Sequence, residues 1–289
     1  MLYLSRFTFP DAEAESFFAD AQKRTCYDSC YPFGVLSQRE LTALEFEPVT
    51  ILYGGNGSGK TTALNVIAEK LGLQRDSRYN RSPFFEQYLE RCEAELRRPV
   101  PQESRVITSD DVFDYMLNLR ALNEGLDERR EELFTEYLDD KYGDFRFRTM
   151  EDYDRLRRVN LARRRTQSKY VRARLMDAPR EQSNGESAYF CFTSRIRENA
   201  LYLLDEPENS LSPLRQQELV QFIEDSARFY GCQFIIATHS PFLLAMKGAR
   251  IIDLDSVPAR PRKWTDLPAV RAYHDFFRLH QAEFDHTEE

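Results

Sequence analysis

The chain has 289 residues, of which 42% are hydrophobic and 30% charged, with a formal net charge of −8 at pH 7. That composition excludes an unfolded chain, and apolar runs such as Phe242 to Met246 fall far short of the ~20 residues of a spanning helix, which excludes direct membrane insertion. The acidity argues against a chain coated in nucleic acid but allows a local basic patch. The N-terminal MLYLSRFTFPDAEAE has no basic start leading into an apolar core, so no secretory leader is expected. Cys26, Cys30, Cys92, Cys191 and Cys232 are odd in number and lack a second pair at zinc spacing, which favours free thiols in a reducing, cytoplasmic setting.

In chain order, LYLSRFTF (2–9) alternates as a strand and Asp11 to Gln22 has helical character. VTILYG (49–54) predicts a buried strand entering a glycine turn. A helix is expected from Thr61 to Leu71, with Leu64, Ile67, Ala68 and Leu71 on one face and Gly72 as its stop. A further helix is expected over Glu86 to Arg98, ended by Pro99 and Pro101, followed by a short strand RVIT (105–108). From Asp111 to about Met176 the pattern is helical and highly charged, with a break near Gly143. After Gly185 the β/α alternation resumes: strand 200–204, helix Pro213 to Tyr230, strand 233–237, helix from Pro241 and strand 250–254. A short charged tail is expected after Leu254. Strands alternating with helices imply an α/β fold with a mainly parallel sheet flanked by helices. Two β/α halves, 1–109 and 183–289, would form one core, and 110–182 an inserted helical lobe.

GGNGSGKTT (54–62) fits G-x-x-x-x-G-K-[ST] through Gly54, Gly59, Lys60 and Thr61, between a strand and a helix. Such a loop, here Gly54, Gly55, Asn56, Gly57, Ser58, Gly59, Lys60, Thr61 and Thr62, turns backbone N–H groups around phosphates, and the helix N-terminus adds positive potential. Lys60 can reach the β- and γ-phosphates and the Thr61 hydroxyl can ligate Mg²⁺. LYLLDEPENS (201–210) then delivers Asp205, a second candidate for holding Mg²⁺, to the C-terminal edge of the sheet. Beside it, Glu206 is suited to polarise an attacking water. FIIATHSP places His239 after the next strand, where it can donate to the γ-phosphate or hold the water. In QSNGES (182–187), Ser183 and the backbone of Gly185 offer a phosphate contact at a helix N-terminus.

In this order the P-loop, the S-x-G-E segment, DEPENSLSP and THSP resemble an ABC-type ATPase of the RecF/SMC-like group, the stand-alone bacterial AAA family ATPases. The likeness covers residues 1–75 and 180–255, and the helical lobe only by position. It implies a P-loop NTPase head that binds and hydrolyses Mg-ATP, catalysed through Glu206, His239 and Lys60. It also implies a homodimer closed head-to-tail around two ATPs, in which Ser183, Gly185 and Glu186 act on the partner's nucleotide and Asn209 and Ser210 lie on the loop crossing the interface. The chain departs from the family pattern at the glutamine loop, which has no clear Gln; one of Ser109, Asp110 or Asp111 would take its place. The adenine-stacking aromatic falls among Tyr27, Tyr31 and Phe33, each with an ordinary core role as the alternative.

The implied role is an ATPase acting on DNA or an effector protein, as in DNA repair or antiviral defence. A nucleotide-binding subunit of a membrane transporter and an ATP-binding switch that controls a toxin or nuclease are the other readings. Charge marks the lobe: residues 110–154 carry 15 acidic and 6 basic side chains, whereas 155–174 carry nine Lys/Arg and no acid. Either this basic run meets a polyanion or acidic partner, or it folds back on the acidic stretch as a self-neutralised hairpin.

Overall fold

The structure, a computed structural model, describes residues 1–21, 27, 29–144, 152–175 and 184–285. The first half supplies β1 (Leu4–Thr8), α1 (Ala12–Ala21), β2 (Ala43–Glu45), β3 (Val49–Tyr53), α2 (Lys60–Leu71), α3 (Phe85–Leu89), β4 (Glu93–Leu96) and β5 (Arg105–Thr108). Three helices follow: α4 (Ser109–Tyr142), α5 (Tyr153–Arg164) and α6 (Gln167–Arg172). The rest comprises α7 (Asn184–Arg195), β6 (Leu201–Asp205), α8 (Pro213–Phe229), β7 (Gln233–Ala237), α9 (Pro241–Leu244), β8 (Arg250–Asp253), β9 (Arg260–Pro261), α10 (Pro268–Leu279) and α11 (Gln281–Asp285). The chain divides into two compact units, Met1–Phe113 with Asn184–Glu289, and Asp114–Ser183.

The first unit is built on a six-stranded sheet of order β5-β6-β7-β3-β8-β9, parallel except for the edge strand β9. Every residue of β3 and β7 is buried, as a central strand covered on both faces requires. Because β3, β5, β6, β7 and β8 run the same way, the segments leaving them emerge along one edge. A second sheet, β2-β1-β4, is antiparallel. Gln233, wholly buried, ties the two together: its side-chain oxygen accepts the N–H of Tyr3 and Leu4 at 2.7 and 3.0 Å, and its Nε2 donates to the Leu4 carbonyl at 2.8 Å.

The helix expected over 86–98 is a single turn followed by a strand. After Leu89 the chain pairs with β1 (Phe7↔Ala94, Thr8↔Glu93), and this tertiary pairing overrides the helical preference of Glu, Ala and Leu. The helix expected from Pro241 is likewise one turn, and the expected tail after Leu254 contains β9, α10 and α11. Cys30, Cys92, Cys191 and Cys232 are free thiols, while Cys26 lies outside the described residues. Among the described residues no helix is long and apolar enough to cross a membrane.

The second unit packs α4, α5 and α6 around buried Leu133, Tyr137, Ala162, Tyr170 and Val171. Tyr170 donates to Asp140 at 3.0 Å, and Tyr137 donates to the Arg165 carbonyl at 3.2 Å. The break near Gly143 is present: a Cβ there would stand 2.3 Å from the Asp139 carbonyl oxygen, so the turn that ends α4 accepts only glycine.

Candidate nucleotide site

The loop after β3 closes because two of its glycines are sterically compulsory. Gly59 has φ +94 and a Cβ there would lie 2.9 Å from Leu36 Cδ2, while a Cβ on Gly54 would lie 2.5 Å from Ser58 Oγ. The turn delivers Lys60 as the first residue of α2, only 5% exposed. Its ammonium donates to the carbonyls of Gly54 at 2.7 Å and Gly55 at 3.0 Å, and lies 3.8 Å from Glu206. Residues 56–62 and Glu206 line a cavity of about 230 Å³.

The neighbouring strands bring the acids to the same place. Thr61 donates to Asp205 at 3.1 Å. Burial pushes the Asp205 carboxyl up to about 6, helped by Glu206 and Glu208 and opposed by the Thr61 hydrogen bond and Lys60. Glu206 follows in the left-handed region, φ 46 and ψ 53, an uncommon state for a residue with a Cβ, and donates its N–H to the Ala237 carbonyl at 2.9 Å. Asn209 Nδ2 donates to Glu206 Oε2 at 3.0 Å. His239 Nδ1 stands 4.0 Å from Glu206 Oε1 and 3.4 Å from Glu208 Oε1.

Lys60, Thr61, Asp205, Glu206 and His239 are therefore brought together. Ser183 lies outside the described residues. Gly185 and Glu186 fall in the first turn of α7 and are not among the residues lining the loop cavity, and Glu186 pairs with Arg215 of α8 at 3.1 Å. Of the replacements for the glutamine loop, Asp111 caps α4 through one oxygen: its Oδ2 accepts the Thr108 N–H at 2.7 Å and its own N–H donates to Thr108 Oγ1 at 3.2 Å, while its Oδ1 is buried without a partner among the described residues. Ser109 and Asp110 instead line a second cavity of about 410 Å³ with Thr61, Arg75 and Asp205. Tyr31 also lines that cavity and donates to Thr62 Oγ1 at 3.3 Å. Phe33 stacks on Phe18 with centroids 4.0 Å apart, and Tyr27 is exposed with its ring edge-on to Phe84.

Two residues escaped the sequence reading. Glu208 is buried and its Oε1 accepts Thr238 Oγ1 at 2.6 Å, His239 N–H at 2.9 Å and Ser240 N–H at 3.2 Å. Nothing in the spacing of DEPE and THS announces that clasp. Asp255, just past β8, accepts the Gly55 N–H, again a contact that spacing does not signal.

Two features test the fit of a magnesium nucleotide. Ser58 Oγ is buried inside the loop without a protein partner among the described residues, as a donor reserved for a ligand would be. The protein offers the ion one hydroxyl and one carboxylate, and among the described residues no group of three His, Cys, Asp or Glu side chains is set to hold a metal. Magnesium accepts such a sparse set where phosphate oxygens and waters complete its octahedron, so the residues fit the metal with a nucleotide rather than alone.

Residues 172–245 match a protein-family model described as AAA domain, putative AbiEii toxin, Type IV TA system. Among solved structures, an SmcHead bound to the C-winged helix domain of ScpA is 16% identical, covering 76% of this chain and 92% of that one, with a TM-score of 0.40. The Smc head domain with an extended coiled coil from Pyrococcus furiosus is 13% identical over 82% and 95%, TM-score 0.38. The dimeric MJ0796, a bacterial ABC transporter cassette, is 13% identical over 78% and 90%, TM-score 0.38. Among curated proteins no sequence matches. The mainly parallel sheet and the glycine loop between β3 and α2 are similar to those of P-loop ATPases, and the family match adds an AAA domain over residues 172–245.

Proposed function

We propose that this ABC-type P-loop chain binds Mg-ATP and hydrolyses it, slowly alone and faster as a head-to-tail dimer, to act on DNA or a protein partner. The observation that supports this most is the meeting of Lys60, Thr61–Asp205, Glu206 and His239 at the C-terminal edge of one parallel sheet. Magnesium, held by Thr61 and Asp205, would neutralise charge on the β- and γ-phosphates. Lys60 exchanges the Gly54 and Gly55 carbonyls for phosphate oxygens. Glu206, fixed by its left-handed backbone and by Asn209, accepts the proton of the attacking water. His239 donates toward the γ-phosphate, its backbone held by Glu208. Ser183, Gly185 and Glu186 serve the partner's nucleotide, and the helical unit 114–183 carries the contact with the substrate.

Steady-state phosphate release tests the reading. Lys60→Ala abolishes nucleotide binding, because the cation that meets the phosphates is gone. Glu206→Gln binds ATP, turns over poorly and accumulates as a dimer by light scattering, while Ser183→Arg blocks that dimer and leaves ATP binding intact. Full activity in Glu206→Gln would remove the base from this scheme. A second reading is an ATP-binding switch controlling a toxin; the family description that covers residues 172–245 names a putative toxin of a Type IV TA system. Nucleotide binding without measurable phosphate release would select it.

A further inference from the structure

We propose that the outer face of α5 and α6 is a docking surface for the phosphate backbone of duplex nucleic acid. The buried side of these helices is apolar: Val159, Ala162, Tyr170 and Val171. Arg157, Arg158, Arg163, Arg164, Arg165, Lys169 and Arg172 are all exposed. Had the hairpin neutralised itself, these cations would face the acids of α4. Instead, among the described residues, none of the seven has a carboxylate within 4.0 Å, whereas Arg174 of the same run lies 3.5 Å from Glu136. Four acids of α4 have partners outside these seven: Glu132 and Glu136 pair with Arg129, Asp127 pairs with Arg130, and Asp140 accepts from Tyr170.

Three features select a polyphosphate over an acidic protein. Eight of the nine cations in 155–174 are arginines, whose planar fork matches phosphate oxygens. Arg157 and Arg164 lie seven residues apart on α5, roughly 10 Å along the axis, the rise of about three phosphates on one strand, with Arg158 beside the first and Arg165 just past the helix end. Finally, residues 155–174 contribute none of the exposed large hydrophobic side chains, so the face lacks the apolar anchor of a protein interface. It also lacks the aromatic platforms on which unpaired bases stack, which favours a duplex over a single strand.

This inference deepens the substrate assignment made above, yet its test needs no nucleotide. Anisotropy of a short labelled DNA duplex is followed with the full chain between about 50 and 200 mM salt. Log affinity should fall against log salt with a slope near −0.9 per neutralised phosphate, about −3.6 for four. Changing Arg157, Arg158, Arg164 and Arg165 together to Ala should weaken binding at least about 100-fold at the lower salt and flatten the slope by about 3.6. The same four positions changed to Lys should keep most of both, which controls for folding. Basal phosphate release should be unchanged in both variants, and Lys60→Ala should bind the duplex like the parent. No duplex binding at low salt, an Ala variant that binds like the parent, or tighter binding of a polyglutamate peptide overturns the inference. Loss of duplex binding with phosphate release intact would leave the ATPase reading standing, and the converse result would spare this surface.

Discussion

The Asp255 carboxylate accepts the Gly55 N–H through both oxygens, at 2.9 and 3.1 Å, across 200 residues of sequence. Asp255 is itself placed by the strand beside β3. Its N–H donates to Asp253 Oδ1 at 3.0 Å, and Asp253 pairs in register with Tyr53 and lies 3.4 Å from Arg262 Nε. The Gly55 carbonyl accepts from Lys60. One residue, Gly55, therefore links the end of β8 to the lysine of the phosphate loop.

Asp255→Ala should loosen the Gly54–Gly55 turn and lower nucleotide affinity, while leaving kcat within about twofold. A charge-assisted hydrogen bond is worth about 1.5–3 kcal/mol, and the exposed setting of this one reduces it to about 1 kcal/mol, or roughly fivefold in Kd. Asp255→Asn, which keeps one acceptor, should lose less. Titration with a fluorescent nucleotide measures both. If removing the charge tightens binding instead, repulsion of the phosphates outweighs the positioning of the loop.

Asp205 gives the site a pH signature. Its folded pKa of about 6 lies above the ordinary 3.8, so the folded state holds the proton more tightly. Stability of the metal-free protein therefore falls as pH rises through about 4 to 6 and stays lower above that window. Asp205→Asn removes the buried charge and should stabilise the metal-free protein at pH 7 by on the order of 2 kcal/mol, with no gain at pH 4. The same variant should lose the added stability that magnesium and ATP confer on the parent. Thermal melts at the two pH values, with and without Mg-ATP, read both effects; equal Tm at pH 7 would show that the carboxylate is not penalised.

Asn209 Nδ2 holds Glu206 Oε2 at 3.0 Å on a residue whose backbone is already left-handed. Asn209→Ala frees one oxygen of the base to rotate, so kcat should drop about three- to tenfold, the cost of one hydrogen bond of about 1 kcal/mol. KM should hardly move, because no phosphate contact changes. A rise in KM at constant kcat would place Asn209 in binding instead of orientation.

How much of this was legible beforehand depended on the range of the interaction. The Gly59 turn, the α2 stop at Gly72 and the buried strands β3, β6 and β7 follow from local chemistry: a positive φ, an apolar run, a change of period. Elements decided by a distant partner were missed. The stretch Glu93–Leu96 has helical composition but lies against β1, and α10, amphipathic over Pro268–Leu279, was hidden in what looked like a charged tail. The site divides the same way. Lys60, Thr61, Asp205, Glu206 and His239 stand at strand ends within motifs, whereas Glu208 and Asp255 matter through contacts about 30 and 200 residues away that no spacing rule encodes.

Glu208 is the clearest test of that long-range layer. One buried oxygen receives the Thr238 hydroxyl and the backbone N–H groups of His239 and Ser240, fixing the turn that carries His239. Glu208→Ala leaves three donors without an acceptor in a buried place, and each such loss costs about 1–3 kcal/mol before relaxation. A total loss of about 2–4 kcal/mol is expected, because water can enter beside the half-exposed His239. With the turn loosened, kcat should fall at least about tenfold while nucleotide affinity stays within about twofold, since the phosphate loop is untouched. Glu208→Gln keeps the accepting oxygen and exchanges Oε2, which has no partner among the described residues, for an amide. It should therefore preserve most of the stability and turnover. Chemical denaturation paired with steady-state kinetics separates the effects. If Glu208→Ala is destabilised yet turns over like the parent, the clasp supports the fold alone and His239 does not depend on it.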